Sequence, residues 1–178
     1  TLYVDKNNYP KDTVLLVLPS DHLLEDEEAF QKVVSLGHKA ALENKIVTFG
    51  VKPTEALTGY GYIKKLNKSS NEISEIEEFI EKPSLLKAKS YIKDESFLWN
   101  SGIFMFKPDT LLSEFSHYSK SILKACNLSV DKAKEDLNFI RLDKKEFEKN
   151  PSRSIDKVIM EKTKNSVVIP LNTNWIDL

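Results

Sequence analysis

Between Thr13 and Leu18 the chain reads TVLLVL, a nearly unbroken apolar run, and it stops abruptly at Pro19, Ser20, Asp21 and His22. The run is short for a helix and does not alternate, so it predicts a strand buried on both faces. Such a strand needs a covering layer on each side, which points to helices packed on an α/β sheet. The next segments agree. Residues 25–44 carry Phe30, Val33, Val34, Ala40 and Ala41 at helical spacing, and IVTFGV at 46–51 reads as a second buried strand closed by Pro53. Strand, helix and strand in that order predict a parallel unit with a crossover helix.

The remainder continues the alternation. TGYGYIKKL is an extended or turning segment, EISEIEEFIEKP a strand ended by Pro83, and SLLKAKSYIK a short amphipathic helix. FLWNSGIFMFKP reads as a strand stopped by Pro108. Residues 109–128 predict a helix with Asp109 as its N-cap. The charged stretch 130–149 predicts helical pieces interrupted by FIRL. Residues 154–162 predict a helix that turns Ile155, Val158 and Ile159 inward, and VVIPL at 167–171 a last buried strand. With no repeat, linker or low-complexity tract, the 178 residues predict one α/β domain.

Bulk properties exclude several functions. The net charge of −1 argues against a protein that binds nucleic acid by neutralising phosphates. Cys126 is the only cysteine, which rules out an intrachain disulfide and a cysteine-based zinc site. No apolar run approaches the length of a membrane span, and no signal peptide is visible, so the chain is expected in the cytoplasm.

Four segments could carry chemistry. In open α/β sheets, ligands sit beyond the carboxyl ends of the strands, and Asp21 lies just past such an end. A carboxylate there could hold Mg²⁺, which takes oxygen ligands and substrate phosphates; alternatively Ser20 or Asp21 caps the following helix and His22 packs beside it. The glycines of TGYGYI allow a ligand to approach the backbone closely, or mark a bulged strand with packed tyrosines. EKP sets Glu81, a good acceptor for hydroxyls, beside Lys82, a point charge suited to phosphate; a surface ion pair is the simpler reading. Asn100, flanked by Trp99 and by IFMF, needs partners if buried, either backbone groups or a ligand.

Taken in order, LPSDH, TFGVKP, TGYGYI, FIEKP, LWNSGIFMF, SIDKVIMEK and NWIDL resemble the mannose-1-phosphate guanylyltransferases of the sugar nucleotidyltransferase superfamily. The resemblance runs across the whole chain and implies a Rossmann-like fold with a mixed, mostly parallel sheet flanked by helices. It implies transfer of GMP from GTP to mannose 1-phosphate, with Asp21 and Asp177 holding Mg²⁺ and with Asp21, Lys82 and Asp177 as the catalytic set. Gly59, Tyr60 and Gly61 would line the sugar pocket. Glu81 and Asn100 would bind sugar hydroxyls, Lys82 the sugar phosphate, and Asp156 would lie near the pocket or serve as a helix cap. The sugar phosphate is already an anionic nucleophile, so positioning and charge neutralisation would suffice. A homo-oligomer is expected for the complete protein.

One departure matters. The glycine- and arginine-rich loop GGxGTRLxPLS with which the family begins does not occur, nor does its C-terminal region. The chain is thus expected to be the middle of a catalytic domain, inactive alone, with TVLLVL left as an unpaired apolar edge. Another sugar 1-phosphate nucleotidyltransferase, or a regulatory subunit that binds sugar nucleotide without turnover, are the alternative functions.

Overall fold

A computed structural model describes residues 1–68 and 72–177. It contains, in chain order, α1 (Leu2–Lys6), β1 (Leu15–Val17), β2 (His22–Leu24), α2 (Glu27–Leu42), β3 (Ile46–Val51), β4 (Tyr62–Lys65), β5 (Ser74–Ile80) and α3 (Leu85–Tyr91). Then follow β6 (Phe97–Phe106), α4 (Pro108–Tyr118), α5 (Lys120–Asp131), β7 (Lys134–Asp136), β8 (Phe139–Arg141), α6 (Lys144–Phe147), a π-helical turn (Asp156–Met160), β9 (Ser166–Pro170) and β10 (Trp175–Asp177). No helix among the described residues is long and apolar enough to cross a membrane.

The central sheet has six strands in the order β1-β6-β3-β9-β5-β4. It is mixed and flanked by helices, as expected, but the expectation of a mostly parallel sheet needs correction. Strands β1, β3, β4 and β9 share one direction, yet β6 and β5 run against them, so among the described residues only β3 and β9 are parallel neighbours. Ten-residue β6 makes this possible. It pairs with β3 along one edge, and along the other with β1 near its C-terminal end and β4 near its N-terminal end. The β1-α2-β3 crossover is therefore parallel, with β6 between its two strands.

Strands β3, β6 and β9 are buried on both faces because their alternate residues feed two cores. Val47, Phe49, Trp99, Ile103, Met105, Val167 and Ile169 pack on one side with Ala40 and Ala41 of α2. Ile46, Leu98, Phe104, Phe106 and Val168 pack on the other with Leu111 of α4 and with Val158, Ile159 and Met160 of the π turn. The inward set expected for residues 154–162 is thus right, although the turn is wider than an α-helix: the Glu161 N–H donates to the Asp156 carbonyl, an i→i+5 bond.

Other expectations are corrected. TVLLVL is not buried on both faces. β1 is an edge strand bonded only to β6 among the described residues, and Leu16, Val17 and Leu18 stay 36–51% exposed. The apolar edge expected of it is therefore present. Asp109 is not the N-cap: Pro108 takes the first helical position, where its fixed φ and missing N–H cost nothing, and the cap falls to Lys107. The single helix expected over 109–128 breaks at Ser119, whose non-helical backbone separates α4 from α5. FIRL does fall between helical pieces, α5 and α6, but it does so as part of the β7–β8 hairpin, which takes up part of the stretch expected to be helical. Beside that hairpin the buried Glu146 accepts from Lys132 and Lys149, which hold its carboxyl down to about 2.

Where β3 passes β6 the register slips between Thr48 and Gly50. Gly50 has no room for a side chain there, since an added Cβ would sit 2.6 Å from Leu98 Cδ1, 2.8 Å from Leu98 Cβ and 2.9 Å from Val168 Cγ2. Leu98 Cβ is fixed to its strand, so the strands themselves must separate. Gly50→Ala is expected to lower stability by about 2–3 kcal/mol. The shift of the denaturant midpoint at unchanged m-value measures it.

Candidate active site

The polar segments that interrupt the apolar strands converge on one cavity of about 220 Å³. Gly59, Tyr60, Gly61, Glu81, Lys82, Asn100, Asp156 and Asp177 all line it. Every site residue read from the sequence is in this set except Asp21, which stands beside it in a cluster with His22 and Asp177 whose ligand atoms lie within 4.8 Å of one another. Leu178, at the end of the NWIDL segment, lies outside the described residues.

Asn100 answers the question its position raises. Its Oδ1 accepts from Thr48 Oγ1 at 3.0 Å and from the Gly102 N–H at 3.3 Å, and its Nδ2 donates to Asp156 Oδ1 at 3.2 Å. The Gly102 N–H can only donate and an ionised carboxylate can only accept, so the amide has one orientation. Asp156 stands at the start of the π turn without capping it: Ile155 holds the cap position. Its carboxylate faces Asn100 and the cavity instead.

Glu81 approaches the same space from the end of β5. Gly61 makes room for it, because a Cβ there would meet Glu81 Oε2 at 2.8 Å and Asn100 Cβ at 3.3 Å. The Glu81 side chain is only 11% exposed. Burial, then the nearby Asp156 charge, raise its carboxyl above the ordinary value, while Lys82 and Lys157 pull the other way. Asp156 is raised as well, chiefly by burial. Lys82 Nζ lies 3.5 Å from Glu81 Oε1 and is largely exposed. Its backbone sits at φ 51°, a left-handed conformation that costs a non-glycine residue on the order of 1 kcal/mol.

The far end is built by β2 and β10, a two-stranded ribbon that pairs His22 with Asp177 and Leu24 with Trp175. The Trp175 indole N–H donates to His22 Nδ1 at 3.1 Å. Indole is a donor only, so Nδ1 presents its lone pair and a neutral ring carries its proton on Nε2, 3.6 Å from Asp177 Oδ1. The Nδ1 lone pair is thus taken by the indole, while the carboxylates of Asp21 and Asp177 offer oxygen donors. Oxygen donors suit Mg²⁺. The capping alternative for Asp21 falls away because Asp26 caps α2, accepting from the Ala29 N–H at 2.9 Å. Tyr60 joins the two ends: it meets Trp99 and Trp175 edge-on, each at 5.4 Å, and burial followed by the charge and hydrogen bond of Asp177 raises its phenol.

The family model described as nucleotidyl transferase matches residues 2–178. The chain belongs to the nucleotidyl transferase family. It is 44% identical over 167 residues to the mannose-1-phosphate guanylyltransferase RfbM of Salmonella typhimurium, covering 94% of this chain and 35% of that protein. It is 37% identical to the mannose-1-phosphate guanylyltransferase of Escherichia coli K12, covering 99% and 38%. The chain thus spans little more than a third of the length of these relatives. Among solved structures, one described as mannose-6-phosphate isomerase from Helicobacter pylori superposes with a TM-score of 0.88 at 31% identity, covering 98% of this chain and 68% of that one. One described as mannose-1-phosphate geranyltransferase from Thermus thermophilus gives 0.82 at 30%, covering 99% and 49%.

Sequence reasoning left out of the site five residues that the fold brings to its wall, Pro19, His22, Ser101, Gly102 and Trp175. His22 and Trp175 are 153 positions apart and meet only because β2 pairs with β10. Ser101 joins the cavity wall by following Asn100. The signal that existed was adjacency: His22 follows Asp21, and Trp175 precedes Asp177 by two.

Two outcomes test this geometry. Gly61→Ala is expected to leave the fold intact, because the Glu81 carboxylate is a flexible end that can swing away, and to shift the denaturant midpoint by less than Gly50→Ala does. Glu81→Gln is expected to raise the melting temperature at pH 7 by roughly 2 °C. The folded-state carboxyl is raised, so wild type carries the cost of a buried charge above its folded pKa and sheds it as pH falls toward the ordinary value of about 4.3. The advantage of the glutamine variant should therefore vanish below about pH 4 in melts across that range.

Proposed function

We propose that the protein carrying this chain transfers GMP from GTP to mannose 1-phosphate, releasing pyrophosphate and forming GDP-mannose. The observation that carries this reading is the single cavity in which acceptors for hydroxyls, Glu81, Asp156 and Asn100, meet the ammonium of Lys82, with Asp177 on the same wall. A sugar phosphate needs that combination, since its hydroxyls donate and its phosphate seeks a cation. The guanylyltransferase names of the relatives support guanosine and mannose in particular.

In this reading a phosphate oxygen of the sugar 1-phosphate attacks the α-phosphorus in line. A new O–P bond forms, the bond from the α-phosphorus to the bridging oxygen breaks, and pyrophosphate leaves with the electron pair. No proton needs to be removed from the nucleophile, so the chain's task is positioning and charge neutralisation. Lys82 balances the incoming phosphate, and Tyr60, held edge-on by the buried Trp99, lines the sugar side. Asp21 and Asp177 would hold Mg²⁺, whose chemistry is to neutralise charge on the triphosphate.

The test is pyrophosphate release by the longest reading frame that contains this chain, over a grid of nucleoside triphosphates and sugar 1-phosphates. A maximum at GTP with mannose 1-phosphate is expected. A maximum elsewhere reassigns the substrates, and no release from a folded protein favours a binding subunit. Asp21→Ala and Asp177→Ala are expected to lower kcat by about a hundredfold or more without unfolding the protein. Near-normal turnover in either would remove that residue from the metal site.

A further inference from the structure

The turn that carries Glu81 and Lys82 is strained, and something must hold it. Lys82 takes its left-handed backbone without being glycine, and its side chain is largely exposed, so its own packing does not supply the constraint. The constraint comes from the π turn. Glu161 Oε1 accepts from the Glu81 N–H at 3.0 Å, and Lys157 Nζ donates to the Glu81 carbonyl at 3.3 Å. Lys157 also donates to Glu161 Oε1 at 2.7 Å, which closes a three-membered ring of polar contacts around the Glu81 backbone. Both polar atoms of that backbone are therefore held by side chains of an element 76 to 80 positions away in the sequence.

We propose that Lys157 and Glu161 are positioning residues that clamp the Glu81–Lys82 turn in the shape that receives the sugar 1-phosphate. The inference rests on the assignment of that turn to the sugar phosphate made above. Neither residue lines the cavity. The Lys157 ammonium is already committed to Glu161 and to the Glu81 carbonyl, and Glu161 to Lys157 and the Glu81 N–H, so each acts through Glu81 and Lys82. The same π turn holds Asp156, which reaches Asn100, so one element sets two walls of the pocket at once. Its buried face, Val158, Ile159 and Met160, anchors it to the core and gives the clamp a fixed base.

Glu161→Ala and Glu161→Gln in the same long reading frame test the clamp by two independent readouts. The first is amide hydrogen exchange at Glu81, which needs no activity. Alanine removes the acceptor and should speed exchange there by about tenfold or more, while glutamine keeps an acceptor oxygen and should restore most of the protection. The second is steady-state kinetics: alanine should raise KM for the sugar 1-phosphate by about tenfold with KM for the nucleotide changed less than about twofold, again with recovery in glutamine. Unchanged exchange at Glu81 overturns the proposal, as does faster exchange throughout the chain or an equal loss for both substrates. If wild type turns over no sugar phosphate, the functional reading fails, and the exchange experiment still decides the clamp.

Discussion

Asn100 is the point on which the site depends. It sits in the middle of β6, the strand that bonds to β1, β3 and β4, at the place where the ladder to β3 slips. An amide there must be satisfied, because leaving its groups unpaired would cost about 1–3 kcal/mol each. Thr48 and Gly102 take up its oxygen, and Asp156 receives from its nitrogen. Thr48 has a single hydroxyl proton, shared between Asn100 Oδ1 and the Ile103 carbonyl at 3.1 Å, so the Gly102 N–H is needed to complete the set. These bonds attach the π turn to the central sheet. From that attachment follow the place of Asp156, the direction of Lys157 and Glu161, and the shape of the turn at Glu81.

The electrostatics of the cavity run against stability. Two carboxyls raised by burial stand at one small space, with a largely exposed lysine as partial counterweight. Glu146 shows the contrasting arrangement away from the cavity. Its side chain is little exposed, yet two lysines donate to it and drive its carboxyl down to about 2. A chain that needed Glu81 and Asp156 only for its fold could neutralise them in the same way. Both carboxylates instead stay on the cavity wall, within reach of any hydrogen-bond donors a ligand brings.

Much of this was legible in the sequence because burial on two faces leaves a distinct mark. IVTFGV, FLWNSGIFMF and VVIPL do not alternate, and each is a strand covered on both sides. The same mark misled at TVLLVL, since an apolar run states what a strand could bury and not whether a neighbour is present to cover it. The hairpin of β7 and β8 was invisible because KED and FIR are exposed throughout and leave no pattern of burial. The π turn passed for an α-helix because both turn Val158 and Ile159 inward. The site motifs were legible as local clusters, but what binds them together is long-range. Lys157 and Glu161 look like an ordinary i,i+4 surface pair until β5 delivers the Glu81 backbone between them.

The two ends of the cavity are joined by rings rather than by charge. Trp99 belongs to the buried core, Tyr60 meets it edge-on, and Tyr60 meets Trp175 in the same way. Trp175 in turn stands edge-on to His22 with centroids 5.1 Å apart and donates its indole proton to that ring. The β2–β10 ribbon is short, three residues on each strand, and two such strands in isolation are marginal in water. The aromatic series supplies what the ribbon lacks, since each edge-on pair adds about 0.5–1.5 kcal/mol beyond the area it buries. Asp21 and Asp177 are therefore not on a free loop. Their separation is referred through Trp175 and Tyr60 to Trp99, the residue that precedes Asn100, so one strand of the core supports both the Asn100 wall of the cavity and the carboxylate pair.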